Sequence, residues 1–182
     1  IFLLLTYCNS MSAQQDSSLL QKMDSVEISL LTCQPRQSVY SLYGHTAIRI
    51  QNHCADAGMG ADLAVNYGMF SFSKPYFVLR FVFGLTDYEI GIETFQEFCP
   101  GYERVGCGVL QQQLNLNREE KLALLQAIDE NYRPENRVYR YNYFYDNCTT
   151  RARDIIIRCI EGSVVYDKTT GNSTSPADGT YI

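Results

Sequence analysis

Three features predict a single α+β domain. Short stretches alternate apolar and polar residues with a period of two, two others space apolar residues by three and four, and no internal repeat or linker divides the chain. The 182 residues fit one domain at roughly 150 residues per domain. With 46% apolar side chains, including 14 Tyr and 9 Phe, the chain can bury a real core. Its 15 basic and 20 acidic side chains leave a net charge of −5, and Lys and Arg form no runs, which argues against a nucleic acid partner.

The chain opens on Ile1-Phe-Leu-Leu-Leu-Thr-Tyr-Cys8 and passes through Asn-Ser-Met-Ser-Ala13 into a polar stretch. An apolar run this short, followed by small residues, resembles the end of a signal peptide and not a membrane span, so export is expected. Cleavage near Ser12 or Ala13 would remove Cys8, and Tyr7 fits a lipobox poorly. Residues 1–13 are therefore read as a signal-peptide remnant, 14–168 as the folded domain and 169–182 as a flexible or truncated tail.

Residues Gln14 to Met23 read as a short amphipathic helix carrying Leu19, Leu20 and Met23, and Val26 to Thr32 as a strand. From Tyr43 to Ile50, Thr46, Ile48 and Ile50 alternate with His45, Ala47 and Arg49, which predicts a strand with His45 opposite the isoleucines. Leu63 to Phe72 and Val105 to Leu116 read as further strands. Pro75 to Leu85 is apolar but too short to span a bilayer. It reads as a core helix or strand, or alternatively as a membrane-facing patch with Arg80 at the headgroups.

Two helices are better marked. Asn117 and Glu120 form a capping box before the stripe Leu124, Leu125, Ile128 and Tyr132, and Pro134 ends it. Asp146 and Asn147 cap a second helix from Cys148 to about Glu161, whose buried stripe is Ala152, Ile155, Ile156 and Cys159, with Gly162 as the stop.

The seven cysteines carry the most information. They form no CxxC pair and no cluster with histidine at metal spacing, so no metal site is expected. Seven in 182 is too sparse for a disulfide scaffold. Cys33, Cys54, Cys99, Cys107 and Cys159 read as core or disulfide thiols, with Cys99 and Cys107 the nearest pair. Cys148 differs, because it falls in the first turn of a helix, where unpaired N–H groups and the dipole favour a thiolate. Only His45 and His53 can serve as its base. A helix-borne Cys facing a strand-borne His is the geometry of papain-like enzymes, although here the His precedes the Cys.

Several segments together resemble the N-terminal periplasmic domain of the Lnb lipoprotein N-acyltransferase family. They are Tyr43-Gly-His-Thr-Ala-Ile-Arg-Ile50, Asn66-Tyr-Gly68, Leu79-Arg-Phe-Val-Phe-Gly84 and Tyr141-Asn-Tyr-Phe-Tyr-Asp-Asn-Cys-Thr-Thr-Arg-Ala-Arg-Asp154. Leu114-Asn-Leu-Asn-Arg-Glu-Glu120 and Glu135-Asn-Arg-Val-Tyr139 fit as well, and the match covers roughly residues 25 to 160. The resemblance implies a circularly permuted papain-like, NlpC-type fold over 14–168. An antiparallel sheet would pack against the helix that carries the nucleophilic Cys at its N-terminus. Members usually continue into a membrane-embedded C-terminal region.

Acyl transfer is what the resemblance implies, with Cys148 as nucleophile, His45 as base, a lipid ester as donor and a lipoprotein N-terminus as acceptor, without a cofactor. The backbone N–H of Cys148 would be one oxyanion donor, and Tyr43 and Tyr143 are the substrate-side candidates for another, although core packing suits each better. Asn66 is the choice for the group that orients the imidazole, with His53 and Asp62 as rivals and turn capping as the competing role of Asn66. Arg151 could hold a phosphate headgroup, although a helix-surface ion pair suits it better. A cell-wall peptidase or amidase on the same fold, and a binding domain without catalysis, are the competing expectations.

Overall fold

The computed structural model describes residues 18–36, 43–54, 62–70, 76, 79–80, 83, 86–142, 144–162 and 180–181. The expected leader, the expected tail up to residue 179 and Tyr143 lie outside them. Seven strands form one antiparallel sheet: β1 (Val26–Cys33), β2 (His45–Asn52), β3 (Asp62–Met69), β4 (Asp87–Thr94), β5 (Val109–Gln113), β6 (Val138–Arg140) and β7 (Thr180–Tyr181). Their order is β6-β4-β3-β2-β1-β5-β7. Among the described residues, the helices that pack on it are α1 (Phe95–Glu103), α2 (Arg118–Tyr132) and α3 (Cys148–Cys159). The α+β class and the antiparallel sheet stand as expected from the sequence.

Register sorts the side chains to two faces, because directly opposed residues of neighbouring strands share a side. Ile48 opposes Leu30 and Val65, and this face packs beneath α2 and α3. Its core includes Ile28, Val65, Leu124, Ile128, Ala152 and Ile155. The other face carries Leu31, Cys33, Ala47 and Ala64 against Phe95, Phe98 and Cys99 of α1. The sheet is thus sandwiched between one helix and two.

Capping sets where the helices begin. Asn117 accepts from the Glu120 N–H while the Glu120 carboxylate accepts from the Asn117 N–H, at 2.8 and 2.9 Å. Glu120 is buried, and its second oxygen accepts the Glu161 N–H at 2.9 Å, so one carboxylate starts α2 and holds the chain beyond α3. Asn147 caps α3 by accepting from the N–H groups of Thr149 and Thr150, both at 2.9 Å.

Some expectations need correction. The early helix covers 18–22 and tightens into a 3-10 turn at Met23–Ser25, with 14–17 outside the described residues. Only Val109–Gln113 of the long strand expected from Val105 is extended, because a turn through Gly106 (φ 66°) follows α1. In Pro75 to Leu85, the described residues Tyr76, Leu79 and Phe83 are exposed and make helical-turn hydrogen bonds, so they do not join the core. The six cysteines described are all free thiols, including Cys99 and Cys107.

Leu124 is fully buried between the sheet and the helices. Leu124→Ala should cost about 2–5 kcal/mol of unfolding free energy, measured by urea denaturation. Asn117→Ala, which removes only a cap, should cost about 1 kcal/mol.

Candidate active site

His45 is the first residue of β2 and Cys148 the first of α3, and both reach one cavity of about 400 Å³ at the end of the sheet. The two come from different sides. Thr46 faces α3, and its hydroxyl meets that of Thr149 at 2.9 Å, which fixes the first turn of α3 over the start of β2. His45, one residue earlier, points to the α1 side. Cys148 and His45 therefore meet across the end of the strand.

Two glycines permit this approach. Gly44 has a φ of 79°, and a Cβ there would sit 2.5 Å from the Cys33 carbonyl oxygen. Gly68 has a φ of 89° in the irregular stretch where β3 shifts register against β4, and a Cβ there would lie 3.7 Å from the Cys148 Cβ. Both positive φ values favour glycine over any residue with a side chain. The Tyr-Gly-His and Asn-Tyr-Gly segments thereby acquire a physical meaning.

Electrostatics at the pair favour charge on both partners. Burial is the largest influence on Cys148 and pushes its thiol up. The hydrogen bond and charge of His45, the backbone of Thr46 and the Thr149 hydroxyl together outweigh burial and bring it down to about 7. Burial works against the His45 cation too, but its bonds to Cys148 and Asn66 hold it above the ordinary imidazole value. A thiolate beside an imidazolium is the state this environment stabilises.

Asn66 Oδ1 lies 2.9 Å from His45 Nε2, and Asn66 is buried. The rivals are engaged elsewhere. His53 is exposed and 3.4 Å from Glu27, and Asp62 holds Arg49 through two bonds of 2.7 and 2.8 Å. Aromatic rings form one wall of the cavity, with Tyr141 stacked on Tyr88 at 4.1 Å and Phe70 tilted against Tyr88 at 5.0 Å.

Residues 16–177 match the family described as the Lnb N-terminal periplasmic domain. The chain belongs to that family. It is a periplasmic domain of a lipoprotein-processing family. Neither the curated proteins nor the solved structures gave a match. No helix among the described residues is long and apolar enough to cross a membrane.

In this Lnb domain the remaining candidates sit as follows. Tyr43 is 77% exposed, outside the residues that line the cavity. Arg151 is held by Asp146 through bonds of 2.6 and 2.8 Å, and its guanidinium lies 3.5 Å from the Tyr139 ring centroid. That arrangement ties the turn before α3 to the helix and leaves the guanidinium occupied by the protein itself.

Two cavity residues escaped the reading of the sequence. Glu93 of β4 accepts from Asn66 Nδ2 at 2.8 Å. The alternation of Tyr88, Ile90 and Ile92 with Asp87, Glu89, Gly91 and Glu93 is the signal that could have found it. Arg36 also lines the cavity, 3.6 Å from the Tyr102 ring centroid, and its buried Nε has no hydrogen-bond partner. Its lone position after Pro35 offers no such pattern.

Alkylation followed by mass spectrometry should label Cys148 with a midpoint near pH 7, the rate rising as pH rises and the thiolate forms. His45→Ala removes the bond and charge but leaves the burial, so the midpoint should move upward. Cys33, pushed up to about 12 chiefly by burial, should stay unlabelled across that range.

Proposed function

We propose that this domain is a thiol-dependent acyltransferase of circularly permuted papain-like design, moving a fatty acyl chain from a lipid ester to the N-terminal amine of a lipoprotein. One observation carries the reading. Cys148, with its lowered thiol pKa, shares a cavity with His45, and His45 is bonded in turn to Asn66. Membership in a lipoprotein-processing family supports the choice of acceptor.

The chemistry runs in two halves. The Cys148 thiolate attacks the ester carbonyl carbon and forms a C–S bond. As the tetrahedral intermediate collapses, the C–O bond breaks and the His45 imidazolium gives its proton to the departing alcohol. The acyl chain is then held as a thioester. The lipoprotein α-amine attacks it, His45 takes the amine proton, a C–N bond forms and the thiolate leaves. Asn66 holds the imidazole throughout. The Asn147 cap takes the N–H groups of Thr149 and Thr150, so the Cys148 N–H is the oxyanion donor in this reading, worth about 3 kcal/mol in the transition state.

Two features favour lipid over a cell-wall peptide. Phe144 and Tyr145, in the turn that leads into α3, are exposed, as are Tyr76, Leu79 and Phe83. Exposed large apolar side chains in this number suit a lipid surface. Besides the His45 imidazolium, Arg36 is the cation among the described cavity residues, and its charge suits an anionic headgroup.

The full chain, incubated with a diacylated lipoprotein and phospholipid vesicles, should add one acyl chain to the N-terminal peptide, read by mass spectrometry. Cys148→Ala should abolish the addition, and hydroxylamine should release acyl chain trapped on the wild-type thiol. Addition of the chain by Cys148→Ala would sink the nucleophile assignment. Cleavage of cell-wall peptide without acyl transfer would favour the hydrolase.

A further inference from the structure

The amide of Asn66 can offer His45 either an oxygen or an NH2 group, and the choice decides which imidazole nitrogen carries hydrogen. With oxygen presented, Nε2 must donate, and Nδ1 is left to accept a proton from the Cys148 thiol. With NH2 presented, Nε2 must accept, the neutral ring carries its hydrogen on Nδ1, and the base is lost. Asn66 cannot settle this alone, because the two ends of an amide have nearly the same shape.

Glu93 settles it. An ionised carboxylate only accepts, so it binds the NH2 end of Asn66 and rejects the oxygen end. The Asn66 Nδ2 to Glu93 Oε1 bond is 2.8 Å and the Asn66 Oδ1 to His45 Nε2 contact is 2.9 Å, so the two ends of the amide are used by different partners. Asn66 opposes Gly91, over which the Met69 thioether packs, and Glu93 opposes Ala64, so the carboxylate reaches diagonally to the amide without a competing polar group at those two positions. Glu93, Asn66 and His45 all line the cavity that Cys148 enters. Burial, with Glu97 beside it, holds the Glu93 carboxyl above its ordinary value, while the Asn66 bond and the His45 charge favour the carboxylate.

We propose that Glu93 is a positioning residue: its carboxylate orients the Asn66 amide, which fixes His45 as the Nε2–H tautomer and keeps Nδ1 available to the Cys148 thiol. The inference rests on the acyl-transfer reading only for its kinetic readout.

The test uses the full chain with Glu93→Leu, which removes the acceptor, and Glu93→Gln, which keeps the shape but tolerates either amide orientation and serves if the leucine variant fails to fold. In a Cys148→Ala, His53→Gln background at alkaline pH, long-range 1H–15N spectra report the tautomer of the single neutral imidazole. The native residue should give the Nε2–H form, and both variants should shift population towards Nδ1–H, the leucine further. With Cys148 and His53 restored, Glu93→Leu should lower kcat about 10- to 100-fold. KM should stay within about twofold, and the alkylation midpoint should move above its native value near 7. Glu93→Gln should fall between. A native tautomer and native alkylation midpoint in the variants would overturn the proposal. A tautomer shift in a protein that transfers no acyl chain would instead overturn the functional reading and leave the role of Glu93 standing.

Discussion

The site depends on one constraint: residues from opposite faces of a sheet have to meet, and they can do so only at its end. Neighbouring residues on a strand point to opposite sides. Thr46 therefore grips α3 through Thr149, while His45 stands on the side of α1 with Asn66 and Glu93. Were β2 to begin two residues later, α3 would still have its apolar seat on Ile48, but the imidazole would leave the regular strand. Gly44 and Gly68 flank this meeting point, each with a positive φ that favours glycine, and a Cβ at Gly44 would clash with the Cys33 carbonyl oxygen.

Two thiols of the same sheet show which electrostatic effect wins where. Cys33 opposes His45 in the β1–β2 register, and burial drives its thiol to about 12 despite the Tyr102 hydrogen bond and the Arg36 charge nearby. Burial acts on Cys148 in the same direction, yet its thiol falls to about 7 because His45 adds a direct hydrogen bond as well as charge. A neutral hydrogen-bond partner and a nearby cation are not enough, and a partner that is both bonded and charged, backed by the Thr46 backbone and the Thr149 hydroxyl, is what reverses the sign. The same dry surroundings make the polar partners of His45 matter, because an imidazole without them would have no fixed tautomer.

Legibility followed local chemistry. Capping residues announced α2 and α3 because Asn117, Glu120 and Asn147 act within four residues of themselves. The strand at His45 was legible because alternation is local as well. The pair β4 and α1 was not read, although Thr94 and Glu97 form a capping box and Phe95, Phe98, Cys99 and Tyr102 follow helical spacing. Pro100 and Gly101 sit inside that helix and carry the residue types that ordinarily break one. The apolar run before β4 drew attention as a core element. Its described aromatics lie at the surface, because burial depends on what covers a segment and hydropathy does not report that.

The sequence by itself determined the fold class, the helix that begins at Cys148, the face on which His45 lies and the family to which the chain belongs. Each depends on spacing, capping or a motif, and those act between near neighbours. Tertiary structure alone decided that Asn66, and not His53 or Asp62, reaches the imidazole, and that Glu93 stands behind it. It also decided that Arg151 turns back onto Asp146 while Arg36 enters the cavity. Those outcomes follow from strand register and from which loops close over which face. Register joins residues tens of positions apart through backbone hydrogen bonds that carry no side-chain label.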